Sequence, residues 1–244
     1  MTNACRWWGQ FPRFQVSDAK NHLHKCRLRN HHMRFSNHGF NKPVPLGRPR
    51  PISLQRLAHM NIAKVSVGRD PPYDINVIVE IPQGSAPVKY EVDKESGAMF
   101  VDRFWHTAMF YPGNYGFIPH TLSQDGDPID VLILGPIAVV PGAVVRCRPV
   151  GVLLMEDEAG NDEKILAVPV DAVHSFYADV RSYQDLPPVL SEQIGHFFLH
   201  YKDLEQGKWV KLSRWGEAPE AADLIMAAID RATTGRTEKN PRIT

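Results

Sequence analysis

Cysteine is scarce in this chain, with three among 244 residues: Cys5, Cys26 and Cys147. Three thiols cannot close a disulfide framework, which excludes the stapled scaffolds of small secreted proteins. Cys147 sits in an apolar, strand-like run, where a buried and reduced thiol is expected. Long hydrophobic runs are also missing. The greasiest window, residues 129–145, is broken by Asp130, Gly135, Pro136, Pro141 and Gly142, whereas a membrane helix needs about 18 or more apolar residues in a row. No secretory h-region is visible. The expectation is a protein with no membrane partner in a reducing compartment, most simply the cytoplasm.

Acids are nearly absent from the first part of the chain. Residues 1–59 hold 11 Lys/Arg and one acid, Asp18, while residues 60–244 hold 17 Lys/Arg and 26 Asp/Glu. The formal net charge of +1 therefore hides a basic arm and an acidic body. The arm is rich in Arg, His, Asn and Pro and shows no strand or helix period. Its composition suits a transit peptide or a nucleic-acid arm. The favoured reading is a disordered or non-native extension, with Met60 as the start of the working protein. The cluster His22-x-His24-x-Cys26 and His31-His32 lacks the paired ligand spacing of a zinc site.

From about Asp70 the pattern becomes globular. Strands are read at Ile75–Ile81, Val88–Val92, Ala98–Val101, Val131–Leu134, Val144–Leu154 and Ile165–Val170, with Gly151 allowing a bend. Met109–His120 reads as an aromatic loop and Glu156–Lys164 as an acidic hairpin tip. Leu190, Ile194, Phe197 and Tyr201 make a helical stripe behind Pro187 and Pro188; Ala221, Leu224, Ile225, Ala228 and Ile229 make the buried face of a helix over 219–232. The polar tail after Thr233 is expected to fray. Short strands followed by helices, without βαβ alternation, predict a mainly β fold: a small barrel flanked by helices.

The densest chemistry is Asp125-Gly126-Asp127-Pro128-Ile129-Asp130, three carboxylates on a turn that feeds an apolar strand. Carboxylates this close repel one another unless cations neutralise them. Further acids are Glu80, Glu91, Asp157, Glu158 and Asp162. Lys89, Arg103, Tyr111, Tyr115, Lys164, Tyr201 and Lys202 stand near element ends, and Lys89 and Glu91, two apart on one strand, share a face. Oxygen donors without a His/Cys pair favour a hard cation, Mg²⁺ or Mn²⁺. Lysines, an arginine and phenols around it suit phosphate oxygens. Taken singly, each piece also fits something plainer: a solvated turn, an exposed hairpin, packing tyrosines, a surface ion pair. A P-loop is absent. Ile129 stands where a D-x-D-x-[TV] aspartyl nucleophile needs Thr or Val, and an EF-hand loop from Asp125 would lack its Gly and late Glu.

The segments Asp125–Val131, Pro87–Glu91, Val101–Arg103, Phe110–Gly116, Arg146–Gly151, Asp157–Gly160 and His200–Glu205 together resemble the soluble family I inorganic pyrophosphatases of the bacterial type. The resemblance spans roughly residues 65–232. It implies an OB-like five-stranded β-barrel with helices and hydrolysis of pyrophosphate to two phosphates with several Mg²⁺ ions. It also implies that Asp125, Asp130 and Asp162 are the main metal ligands, with Asp157 a further one and Glu91 a ligand of a substrate-borne metal. Asp127 resembles the base; Lys89, Arg103, Tyr115, Tyr201 and Lys202 resemble the phosphate-binding groups. Glu80, Tyr111, Glu158 and Lys164 match supporting positions. Bacterial members are commonly homohexamers, and His196 and His200 resemble residues at the subunit contact. The implied organisation is an extension over 1–59, a pyrophosphatase domain over 60–235 and a flexible tail over 236–244. A non-catalytic OB barrel binding single-stranded nucleic acid is the alternative; the acidic body, −9 beyond residue 59, works against it. No nucleic-acid partner is therefore expected.

Overall fold

The computed structural model describes residues 61–239, with side chains through Thr234. The basic arm, its His/Cys cluster, Met60 and residues 240–244 lie outside the described residues.

Strand β2 (Asp74–Ile81) carries the barrel. It is dominated by β-branched residues, and Ile75, Val77, Ile78, Val79 and Ile81 are all fully buried, as suits a strand packed on both sides. Its first half pairs with β7 (Val144–Asp157), and its second half pairs with β5 (Asn114–Phe117). Then β5 pairs with β6 (Asp130–Ile133), β6 runs parallel to β8 (Gly160–Pro169), and β8 returns antiparallel to β7. The ring β2-β5-β6-β8-β7 closes on itself: a five-stranded OB-like barrel, without free edges inside the ring. Short β1 (Gly68–Asp70) adds to β2, and β9 (Val210–Glu217) adds to β7. Strands β3 (Val88–Val92) and β4 (Met99–Phe104) form a separate two-stranded ribbon.

Alternation along β6 sorts the core into two sides. Val131 and Ile133 pack with Ile75, Val77 and Cys147 and with Ala221, Ile225 and Ala228 of α2 (Ala218–Lys239). Leu132 packs instead with Leu153 and Leu166 and with Ile194, Phe197 and Phe198 of α1 (Pro188–His200). Asp130 and Lys164 share parity with Leu132 and Leu166, so both charged side chains fall on the α1 side. Cys147 is a free, fully buried thiol.

The structure revises several sequence-based boundaries. The stretch read as an aromatic loop contains β5, because Gly116 lets it lie unusually close to β2: a Cβ there would stand 1.9 Å from the Ile78 carbonyl oxygen. The acidic hairpin tip is mostly strand; only Glu158 and Ala159 separate β7 from β8, and Gly160 takes the turn at φ 124°. β9 has no counterpart among the strands that the sequence pattern predicts. Leu212 lies opposite Met155 and Arg214 opposite Leu154, so Ser213 is an unpaired bulge. The bulge shifts the inward face from Val210 and Leu212 to Trp215 and breaks the period a strand should show. Helix α2 runs on to Lys239, where the sequence reading ended it at 232. Thr233 and Thr234 hydroxyls donate back to the Ile229 and Asp230 carbonyls, both at 2.9 Å.

Candidate active site

On the α1 side the barrel opens into a cleft of about 340 Å³. All fifteen side chains singled out in the sequence line it. β2 contributes Glu80; the ribbon contributes Lys89, Glu91 and Arg103, with Lys89 and Arg103 register partners. Tyr111 and Tyr115 come from before and within β5, Asp125 and Asp127 from the turn, and Asp130 from the start of β6. The β7–β8 hairpin supplies Asp157, Glu158, Asp162 and Lys164, and the end of α1 supplies Tyr201 and Lys202.

Ammonium groups interleave the acids. Lys164 Nζ lies 2.6 Å from Asp130 Oδ2 and 2.6 Å from Asp162 Oδ1. Lys202 Nζ lies 2.6 Å from Asp157 Oδ2, and Lys89 bonds Glu91 and also reaches Asp102 at 3.1 Å. Burying a lysine alone would push its proton off. Burial does weigh against the charge on Lys164, but Asp130 and Asp162 outweigh it and hold its pKa well above the ordinary value. Burial likewise opposes the charged form of Asp157, but the Lys202 ammonium prevails and lowers that carboxyl. Asp162 goes the other way, raised chiefly by burial. Burial pushes Glu80 up to about 7, although its Oε1 accepts the Val92 N–H at 2.9 Å.

Three phenols roof this wall. Tyr111 and Tyr115 have ring centroids 5.5 Å apart, and the Lys164 ammonium lies 5.7 Å from the Tyr115 ring centroid. Burial raises the pKa of Tyr111, Tyr115 and Tyr201, so all three remain O–H donors at neutral pH. The donor set is entirely oxygen, as a hard divalent ion requires. Asp130 and Asp162 already converge on one cationic nitrogen, so their oxygens fit such an ion. Among the described residues, no three acids, histidines or cysteines converge tightly enough to ligate one ion as they stand. The lysines hold the acids in pairs.

Among the lining residues that the sequence pattern does not mark, three stand beside charged groups that it does. Lys94 stands 3.5 Å from Asp127, Lys208 bonds Glu158, and Trp105 walls the cleft beside Arg103. Lys94 and Lys208 sit by turns, as solvated lysines commonly do, and carried no signal. Trp105 lies two residues past Arg103, and that adjacency was the available clue.

An OB-like barrel bearing a cleft of interleaved acids, lysines and phenols suits a hydrolase of phosphoric anhydrides. The family model for inorganic pyrophosphatase matches residues 77–233. An inorganic pyrophosphatase of Caulobacter vibrioides is 64% identical over 172 residues, covering 70% of this chain and 97% of that protein. One of Rhodospirillum rubrum is 61% identical over 170 residues, 70% of this chain and 95% of that one. The solved inorganic pyrophosphatase of Coxiella burnetii superposes with a TM-score of 0.67 at 50% identity, covering 68% of this chain and 99% of that one. The chain belongs to the inorganic pyrophosphatase family, in its bacterial family I branch. Its reaction is the hydrolysis of pyrophosphate.

Proposed function

We propose that this cleft hydrolyses pyrophosphate to two orthophosphates with Asp127 as the general base and Mg²⁺, or Mn²⁺ in its stead, as the resident cation. The convergence of all fifteen residues on one cleft supports this reading. The Asp127 side chain is 79% exposed, and its one ion-pair partner among the described residues is Lys94. Its carboxylate is thus open to accept a proton from water. The water oxygen bonds to phosphorus, the bridging P–O bond breaks, and its electron pair leaves with the departing phosphate. Lys89, Arg103 and Lys202 take up charge on the phosphate oxygens, and the Tyr115 and Tyr201 hydroxyls donate to them. Asp125, Asp130, Asp157, Asp162 and Glu91 are the metal ligands in this reading, and Glu80, Tyr111, Glu158 and Lys164 hold them and the substrate groups in place. Bound there, the divalent ion supplies Lewis acidity and neutralises substrate charge.

Assembly and location are proposals that rest on the resemblance: a cytoplasmic homohexamer active in phosphate metabolism. The His196 and His200 rings lie 4.6 Å apart on α1, and His200 Nδ1 is 2.7 Å from Asp203 Oδ2. No helix among the described residues is long and apolar enough to cross a membrane.

Phosphate release from pyrophosphate, assayed with Mg²⁺ and again after chelation, tests the proposal. Release is expected only with the metal. Folded protein that releases no phosphate in Mg²⁺, or that turns over equally well in chelator, would sink it.

A further inference from the structure

Trp105 stands where three segments of the cleft meet. Its backbone N–H donates to the Pro87 carbonyl at 2.9 Å, which fixes it just past the end of β4 and against the start of β3. The residue is only 7% exposed. The guanidinium carbon of Arg103 lies 5.5 Å from its ring centroid. The Tyr201 ring meets it edge-on, centroids 5.0 Å apart at 69°. Tyr201 in turn stacks on Phe197 of α1 at 5.3 Å and 23°.

Arg103 needs such a support. It extends from a ribbon that no ladder joins to the barrel, and its side chain is 43% exposed. Its Nε donates to Asp102 at 2.8 Å, and among the described residues its two Nη atoms have no partner. Asp102 is shared with Lys89, so that carboxylate alone does not fix the guanidinium plane. An aromatic face fixes the plane without consuming an N–H donor, which leaves both Nη groups for a ligand. The edge contact with Tyr201 sets the phenol by the same ring.

We infer that Trp105 is a positioning residue: its indole touches both the Arg103 guanidinium and the Tyr201 phenol and fixes each in place, so that they meet a phosphate group as one preset unit. The inference rests on the reading of Arg103 and Tyr201 as phosphate-binding groups. It makes Trp105 a determinant of phosphate affinity although it carries no charge.

The test is a double-mutant cycle on the full chain, read by KM for pyrophosphate, kcat, and affinity for inorganic phosphate. Trp105→Leu is expected to raise KM and weaken phosphate binding roughly fivefold, the range of a partly desolvated cation–π contact, with a smaller change in kcat. Trp105→Phe, which keeps an aromatic face, should recover most of the loss. In an Arg103→Ala background Trp105→Leu should add little, because the group it positions is gone. Unchanged KM and phosphate affinity in Trp105→Leu, or equal losses with and without Arg103, would overturn the inference. If Arg103→Ala itself leaves both quantities untouched, the phosphate-binding reading of Arg103 fails instead. Should Trp105→Leu not fold, Trp105→Met, which fills the space without an aromatic face, runs through the same cycle, and additive losses there overturn the inference.

Discussion

Lys164 and Asp130 are register partners on the parallel strands β8 and β6, and their side chains close an ion pair of 2.6 Å. The same ammonium binds Asp162, two residues back on its own strand and so on the same face. One buried lysine thus clamps two carboxylates that would otherwise repel.

Removing that clamp should cost stability. Lys164→Met is expected to destabilise the metal-free protein by roughly 3 kcal/mol, as for a buried pair stripped of one partner. Mg²⁺ should restore part of the loss, since a divalent ion can neutralise the same acids. Urea unfolding with and without Mg²⁺ checks both claims; an unchanged midpoint in the metal-free variant contradicts them.

Asp127→Asn should leave fold and metal affinity intact and lower kcat by about 10²- to 10⁴-fold, the worth of a positioned base. The amide keeps the turn, whose Asp127 N–H donates to Asp125 Oδ1 at 3.0 Å, but cannot accept a proton. Steady-state phosphate release alongside thermal unfolding decides. A wild-type kcat removes Asp127 from the role.

Glu80 gives a pH signature. Burial raises its pKa from 4.5 to about 7 in the folded chain. Between those values the unfolded chain has lost the proton that the folded chain retains, so stability falls as pH rises through this window. Glu80→Gln should remove that slope, on the order of 2–3 kcal/mol, while its Oε1 still accepts the Val92 N–H. Unfolding free energies at pH 5 and pH 8 without divalent ions provide the comparison. Parallel profiles for the two proteins would refute the assignment.

Gly116→Ala should fold poorly or not at all. Its Cβ would lie 1.9 Å from a backbone oxygen of β2, and neither strand can retreat without opening the barrel. Soluble yield and circular dichroism would report the failure, and a native-like Ala variant would show that the ring is more compliant than it looks.

A chain beginning at Met60 is expected to hydrolyse pyrophosphate with an undiminished kcat. The family match covers residues 77–233 and leaves the basic arm out. Loss of folding on deletion would show that the arm contributes.

What was legible in sequence was local or periodic. The Val88–Val92 strand was read with its observed bounds because alternation and flanking turns define it. The α1 stripe was read because Ile194, Phe197 and Tyr201 recur at helical spacing. The carboxylates at Asp125, Asp127 and Asp130 stood out by density, and Lys89 with Glu91 by parity. β5, the Ser213 bulge in β9 and the length of the β7–β8 hairpin were hidden, since each depends on a neighbouring strand and not on its own residues.

The sequence by itself singled out the side chains that line the cleft, because charge, parity and motif order are properties of the chain. Tertiary structure alone decided who neutralises whom. Lys164 on Asp130, Lys202 on Asp157, Lys94 by Asp127, and Trp105 against Tyr201 join side chains from separate segments. Such pairs form only when barrel closure brings strand ends together, and burial there makes an unpaired charge too costly to leave alone.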